Sequence, residues 1–168
     1  MGDFERIFAA LEARGARYLV VGGVAVVLHG HPRFTADLDL VLALDPENVA
    51  SALAAFEGLG FRPRAPVRLA EFADAARRAT WISEKGLVVL SLWSPDFPAT
   101  DVDLFASEPF PFEAAYARAL RADLEGATAT VAALEDLIAL KLDAGRPQDL
   151  EDVRALELLS REPGGGDD

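Results

Sequence analysis

The chain contains no cysteine, which excludes disulfides, thiolate metal sites and a cysteine nucleophile. Its two histidines, His29 and His31, flank Gly30. A pair with no nearby third ligand makes a poor zinc site, so both read as structural. No apolar run approaches the ~20 residues of a membrane span. The opening Met1-Gly2-Asp3-Phe4-Glu5-Arg6 lacks the basic-then-apolar layout of a secretion signal, and Arg6 stands where a myristoylation signal needs Ser or Thr. The expected compartment is the cytoplasm, with no membrane partner. Ser83, Ser91 and Ser94 have no glycine elbow beside them, which removes the main hydrolase reading. Gly22-Gly23 is not followed by Gly-Lys-Ser/Thr, so it is no Walker loop.

What is present is a well-packed acidic chain. At 168 residues and 51% hydrophobic content it suits one compact domain, or a core with a small helical appendix. The net charge of −12 opposes non-specific binding to a phosphate backbone. The local exception runs from Arg62 to Arg78, where Arg62, Arg64, Arg68, Arg77 and Arg78 outnumber Glu71 and Asp74. A solvated helix face is the plain reading of such a run; a basic lip for an RNA acceptor is the functional one.

Apolar spacing predicts a helix over 3–14 with Asp3 as its cap, a buried strand over 18–21 and a short helix over 24–28. A second strand follows over 38–42, then a helix opened by Asp45-Pro46. Another helix is expected over 69–78, a hairpin pairs 80–83 with 87–93 around Glu84-Lys85-Gly86, and a strand covers 102–105. From Pro111 the pattern turns helical, over 112–122, 134–143 and 148–160. The fold class is therefore α/β (α+β), a mixed sheet flanked by helices with a C-terminal helical segment. The expected division is a core over 1–110, helices over 111–162 and a disordered tail over 163–168.

The chemistry concentrates between Val21 and Leu40. A strand runs into Gly22-Gly23 as a helix begins, which lets a phosphate approach the backbone amides closely. The next strand carries Asp37 and Asp39 at i and i+2, on one face, with Leu38 and Leu40 on the other. Two carboxylates this close repel unless a cation sits between them, and Mg²⁺ (or Mn²⁺) suits such a site. A third carboxylate is offered by Asp101-Val102-Asp103-Leu104-Phe105, where Asp103 is preferred because it lies within the apolar strand. Together these acids fit a two-metal centre for phosphoryl chemistry.

Gly22-Gly23 followed by Arg33-x-Thr35-x-Asp37-x-Asp39 resembles the signature of the polymerase-beta-like nucleotidyltransferases, and within them the minimal bacterial branch that includes the AbiEii-like toxins. The segment from Glu135 to Lys141, and then from Ala144 through Arg146, Asp149 and Asp152 to Val153, is similar to that branch as well. The resemblance spans about Leu19 to Leu156. It implies Asp37, Asp39 and Asp103 as catalytic metal ligands, and Gly22, Gly23, Arg33, Thr35 and Lys141 as nucleotide-binding residues. It also implies transfer of a nucleoside monophosphate from an NTP to a hydroxyl of RNA (a tRNA end), protein or a small molecule such as an antibiotic. A cognate antitoxin is the partner expected if the chain is a toxin. A non-catalytic nucleotide-binding or regulatory module of the same fold is the alternative. Lys141 as a snorkelling surface lysine, and Asp149 and Asp152 as acids favouring a helix N-terminus, are the plain readings of those residues.

Overall fold

The computed structural model describes residues 2–161, so the expected tail over 163–168 lies outside the described residues. Helix α1 (Asp3–Ala13) turns Ile7, Phe8 and Leu11 into the core. Asp3 is its first residue rather than its cap. Strand β1 (Tyr18–Val21) is buried at all four positions, as a central strand covered on both faces must be. It runs directly into α2 (Gly22–Leu28), which begins at the glycines themselves. Strand β2 (Leu38–Leu42) pairs antiparallel with β1, setting Asp39 opposite Val21. Helix α3 (Pro46–Gly58) starts where the Asp45 side chain accepts from the Asn48 N–H at 3.0 Å. The buried Asn48 side chain also bonds the Arg17 N–H and the carbonyls of Arg17 and Ala43, so the start of α3 is locked to the chain just before β1.

After the two-residue strand β3 (Arg62–Pro63) the chain departs from expectation. Residues 69–78 are not one helix. A 3₁₀ turn over Leu69–Ala73 ends at the extended Asp74, and α4 (Ala75–Lys85) begins there. Of the expected hairpin, the first arm (80–83) lies inside this helix, while the second is a strand, Val89–Trp93. The Asp74 side chain accepts from the Ala76 and Arg77 N–H groups, Trp81 packs against Phe72, and Gly86 closes the helix in the left-handed conformation. Capping at both ends and one buried tryptophan outweigh the strand propensity of Thr80, Trp81 and Ile82.

Strands β4 (Val89–Trp93) and β5 (Val102–Phe105) pair antiparallel. The expected helix over 112–122 ends early: α5 covers only Phe112–Ala117. A hairpin follows, β6 (Leu120–Leu124) and β7 (Ala127–Val131), turning at Glu125-Gly126 with Gly126 at φ +86°. Residues beyond 110 therefore contribute strands, and β7 joins the sheet beside β1. Helices α6 (Leu134–Ala144) and α7 (Pro147–Arg161) complete the chain and pack on each other.

The sheet has seven strands in the order β3-β4-β5-β2-β1-β7-β6. Most neighbours are antiparallel, but β2 runs parallel to β5 and β1 parallel to β7. The expected class, a mixed sheet flanked by helices with helices at the C-terminal end, is the one observed. Among the described residues no helix is long and apolar enough to cross a membrane.

Candidate active site

The parallel pairing of β2 and β5 sets Asp39 opposite Asp103, and Leu38 and Leu40 opposite Val102 and Leu104. Strand parity sends the leucines and Val102 into the core, where they are fully buried, so the two aspartates share the other face. Ser91 of β4 stands opposite Asp103 on its far side and donates its hydroxyl to Asp103 Oδ1 at 2.6 Å. Asp37 precedes β2, where the Leu38 N–H reaches the Asp101 carbonyl at 2.9 Å.

Gly22 meets this acidic centre from β1. A β-carbon there would lie 2.0 Å from Asp39 Oδ2, and the residue sits at φ +71°. Both the space and the backbone demand glycine. A β-carbon at Gly23 would stand 2.7 Å from Thr35 Oγ1 and 3.2 Å from an Arg33 guanidinium nitrogen. The Arg33-Phe34-Thr35 loop is thus laid against the glycine pair.

The electrostatics follow from crowding. Burial first, then the charge of Asp103, a hydrogen bond with its carboxylate and the charge of Asp37 push the Asp39 carboxyl up to about 7; Lys141 pulls the other way. Asp37 is raised as well, by burial and then by Asp103 and Asp101. Among the described residues no three carboxylate or imidazole side chains form a gathered metal cluster. The structure pairs Asp39 with Asp103 and sets Asp37 near enough for its charge to act on Asp39.

Opposite the acids stands a cationic group. Lys141 is 6% exposed, not a snorkelling surface residue. Its Nζ donates to Asp152 Oδ2 at 2.8 Å and lies 3.5 Å from Asp149 Oδ1. Arg33 donates to the same Asp152 oxygen at 2.7 Å, and Gln148 to the other at 3.2 Å. Arg146 donates to Asp149 Oδ2 at 2.6 Å. Burial opposes ionisation of Asp149, but Arg146 and Lys141 outweigh it and hold the carboxyl below its ordinary value. Asp149 and Asp152 are thus buried counter-ions rather than solvated helix-start acids.

Two cavities meet here, sharing Gly22, Asp39, Lys141, Arg146 and Asp149. One, of about 360 Å³, is also lined by Gly23, Arg33, Thr35 and Asp37. The other, of about 270 Å³, adds Asp103 and the apolar wall of Val89, Phe105, Leu140 and Ala144.

Other sequence candidates lie elsewhere. Asp101 forms a two-pronged pair with Arg64 at the surface. Arg78 is buried and donates to the carbonyls of Phe72 and Ala106, so it cannot belong to a basic lip. Its burial is explained by the carbonyls at the end of the 3₁₀ turn and of β5, which it satisfies. His29 bonds the Ala132 carbonyl at 2.8 Å, tying α2 to β7. Ser91 had no sequence signal as a site residue beyond its alternation with the buried Leu90 and Leu92.

The fold, a mixed sheet flanked by helices, is shared with several solved nucleotidyltransferases. The lincosamide antibiotic adenylyltransferase LnuA, solved with lincomycin bound, superposes with a TM-score of 0.60 at 14% identity, over 95% of this chain and 98% of that one. ANT(2")-Ia, solved with adenylyl-2"-tobramycin, gives 0.57 at 17% identity, over 93% and 91%. An antigenic nucleotidyltransferase-like protein from Paracoccidioides brasiliensis gives 0.51 at 18%, over 95% and 78%. At such identities the likeness establishes the fold. No curated protein matches the chain in sequence. The chain belongs to the family described as nucleotidyltransferase of unknown function (DUF6036), which matches residues 4–162, and is a nucleotidyltransferase on that ground.

Proposed function

We propose that this nucleotidyltransferase moves a nucleoside monophosphate from an NTP to a hydroxyl acceptor and releases pyrophosphate, using Mg²⁺ or Mn²⁺ held by Asp37, Asp39 and Asp103. The observation that carries the reading is the register of Asp39 and Asp103 on neighbouring parallel strands, with Gly22 ceding its β-carbon space to the Asp39 carboxylate. The donors are all carboxylate oxygens, which suit a hard divalent cation. Asp37 and Asp39, whose carboxyls are raised by burial and by like charge, are the groups whose ionised forms a cation would favour. When bound, the metal supplies positive charge to the transferring phosphoryl group and to its attacking and leaving oxygens.

The chain's own residues supply binding and orientation. Gly22 and Gly23 leave room for a phosphate against the backbone. Arg33, Lys141 and Arg146 offer cationic charge to the triphosphate in the larger cavity, and Thr35 pins the loop that carries Arg33. Ser91 fixes the Asp103 carboxylate, beside which the acceptor hydroxyl enters through the cavity walled by Val89, Phe105, Leu140 and Ala144.

A small hydroxyl-bearing molecule is the acceptor this site supports best. Its cavity on the Asp103 side is confined and partly apolar, and the arginine run is partly engaged by the chain itself, Arg64 with Asp101 at the surface and Arg78 with buried backbone carbonyls. The cytoplasm, which supplies NTP and Mg²⁺, is the proposed compartment. A second reading, an AbiEii-like toxin acting on an RNA end under control of an antitoxin, is favoured by the Lys141, Arg146, Asp149 and Asp152 linkage, which follows that branch's pattern. The test offers each labelled NTP and Mg²⁺ with aminoglycosides and lincosamides, total RNA or protein extract in separate arms, and follows label and pyrophosphate. Label on a small molecule supports the first reading and label on RNA the second. No product in any arm, from folded protein, refutes both.

A further inference from the structure

Phe34 is 88% exposed. Six of the other nine phenylalanines (Phe8, Phe56, Phe61, Phe72, Phe97 and Phe112) are at most 2% exposed, so this ring stands apart from the chain's habit. Its exposure is not that of a loose loop. Arg33, on one side, is anchored to the buried Asp152 at 2.7 Å. Thr35, on the other, lies against Gly23 so closely that a β-carbon there would meet its hydroxyl at 2.7 Å. Both neighbours are held by the binding cleft, and the ring between them is held out at its mouth.

Phe34 borders two spaces. One is the 360 Å³ cavity that contains Gly22, Gly23, Arg33, Lys141 and Arg146. The other is a hollow of about 340 Å³ lined by Asp3, Phe4, Ala36, Ala99 and Thr100 among others. A nucleoside triphosphate is polyanionic at one end and a planar heterocycle at the other. Its phosphates match the cations of the first cavity, and its ring needs a flat apolar face with open space beside it. Phe34 lies three residues from Asp37, so at most about 11 Å of chain separates them, a span that a ribose bridges between a phosphorus at the acids and a base at the rim.

We propose that the Phe34 ring is the platform on which the nucleobase of the triphosphate stacks. This rests on the nucleotidyl-transfer reading above and assigns the base end of the same site. Stacking uses the π-face that every base carries, so Phe34 contributes affinity for nucleotides while discriminating little among the four bases.

The experiment compares wild type, Phe34→Ala and Phe34→Trp by calorimetry with Mg²⁺ and two probes, a non-hydrolysable α,β-methylene NTP and inorganic tripolyphosphate. Melting temperatures confirm folding, which an exposed side chain should not disturb. Phe34→Ala should weaken the nucleotide analogue by roughly tenfold or more, leave tripolyphosphate unchanged, and be rescued by Phe34→Trp. Equal weakening of both probes would place the effect on the phosphate loop and overturn the proposal. Unchanged affinity for both overturns it too, and if transfer is then slowed the ring meets the acceptor instead. A wild-type protein that binds neither probe overturns the nucleotidyl-transfer reading, and this one with it; wild-type binding of both with no effect of Phe34→Ala overturns this proposal alone.

Discussion

Asp39 makes the acidic centre testable through stability alone. Its carboxyl titrates near 7 in the folded chain, against 3.8 for the unperturbed group, with burial as the largest cause and Asp103 next. An acid whose folded pKa is raised binds more protons folded than unfolded, so stability falls as pH climbs between the two values. The gap between 3.8 and about 7 corresponds to a ceiling of about 4 kcal/mol. Water in the cleft and rotation of the side chains screen part of this, leaving ~2 kcal/mol, or ~4–8 °C in Tm for a chain of this length. In EDTA, the melting temperature should therefore drop by that amount between pH 4 and pH 7, beyond any drop seen in Asp39→Asn. The variant is close in size and has no charge to bury, so at pH 7 in EDTA it should melt above wild type. Adding Mg²⁺ at pH 7 should raise the wild-type Tm and leave Asp39→Asn nearly unmoved. Parallel curves for the two proteins across pH 4–7 in EDTA would refute the crowded-carboxylate account of Asp39.

Asp37→Asn and Asp39→Asn should each abolish transfer at every Mg²⁺ concentration while the protein stays folded, as read by pyrophosphate release alongside melting. Gly22→Ala should cost ~1–2 kcal/mol for the left-handed backbone alone, and should also cost turnover because its β-carbon would displace the Asp39 carboxylate; Gly15→Ala, at φ +65° with open space around it, should show only the stability loss. Lys141→Met should raise the KM for NTP and, unlike a surface lysine, destabilise the fold by ~3 kcal/mol, because Asp149 and Asp152 lose a buried partner; denaturant melts read this directly. Arg78→Met should destabilise by ~1–3 kcal/mol, since two buried carbonyls lose their donor, whereas Arg77→Met at the exposed neighbouring position should leave the midpoint unchanged.

How much of this was legible in the sequence depended on how local the cause was. The spacing of Asp37 and Asp39, and the glycine turn before them, work through two-residue alternation and one strand end, and both can be read without knowing the fold. The Asp45-Pro46 start of α3 is similarly local, a cap bonded three residues ahead. The β6–β7 hairpin was hidden because β6 is largely exposed and β7 is Ala-Thr-Ala-Thr-Val, too weakly apolar to contrast with a helix; only Gly126 and the alternation of threonines marked it. At Thr80–Ser83 the local signal pointed the wrong way, and the deciding contact was Trp81 on Phe72. The roles of Asp149 and Asp152 were least accessible. Their burial depends on Lys141 and on Arg33, which reaches Asp152 across 119 positions of sequence, and no window of sequence contains that pairing.

The distribution of charge across the cleft links these long-range pairs to the proposed site. Asp39 and Asp103 share one face of the sheet with Asp37 near them, and among the described residues no cationic side chain bonds any of the three; the Ser91 hydroxyl donates to Asp103. Asp149 and Asp152, by contrast, face Arg33, Lys141 and Arg146, three cations for two acids. The first group repels itself and gains from a bound cation; the second sets more cationic than acidic side chains together and has positive charge to share with an anion. A cavity joining the two, with Gly22 at their junction, offers opposite ends to a metal-bound polyphosphate. Asp152 anchors both Arg33 and Lys141, so one buried carboxylate keeps the cations from two distant segments pointed at one space. Neutralising it as Asp152→Asn should loosen both at once. The loss in NTP affinity from Asp152→Asn and Lys141→Met combined should then be smaller than the sum of the single losses, and strict additivity would refute the shared anchor.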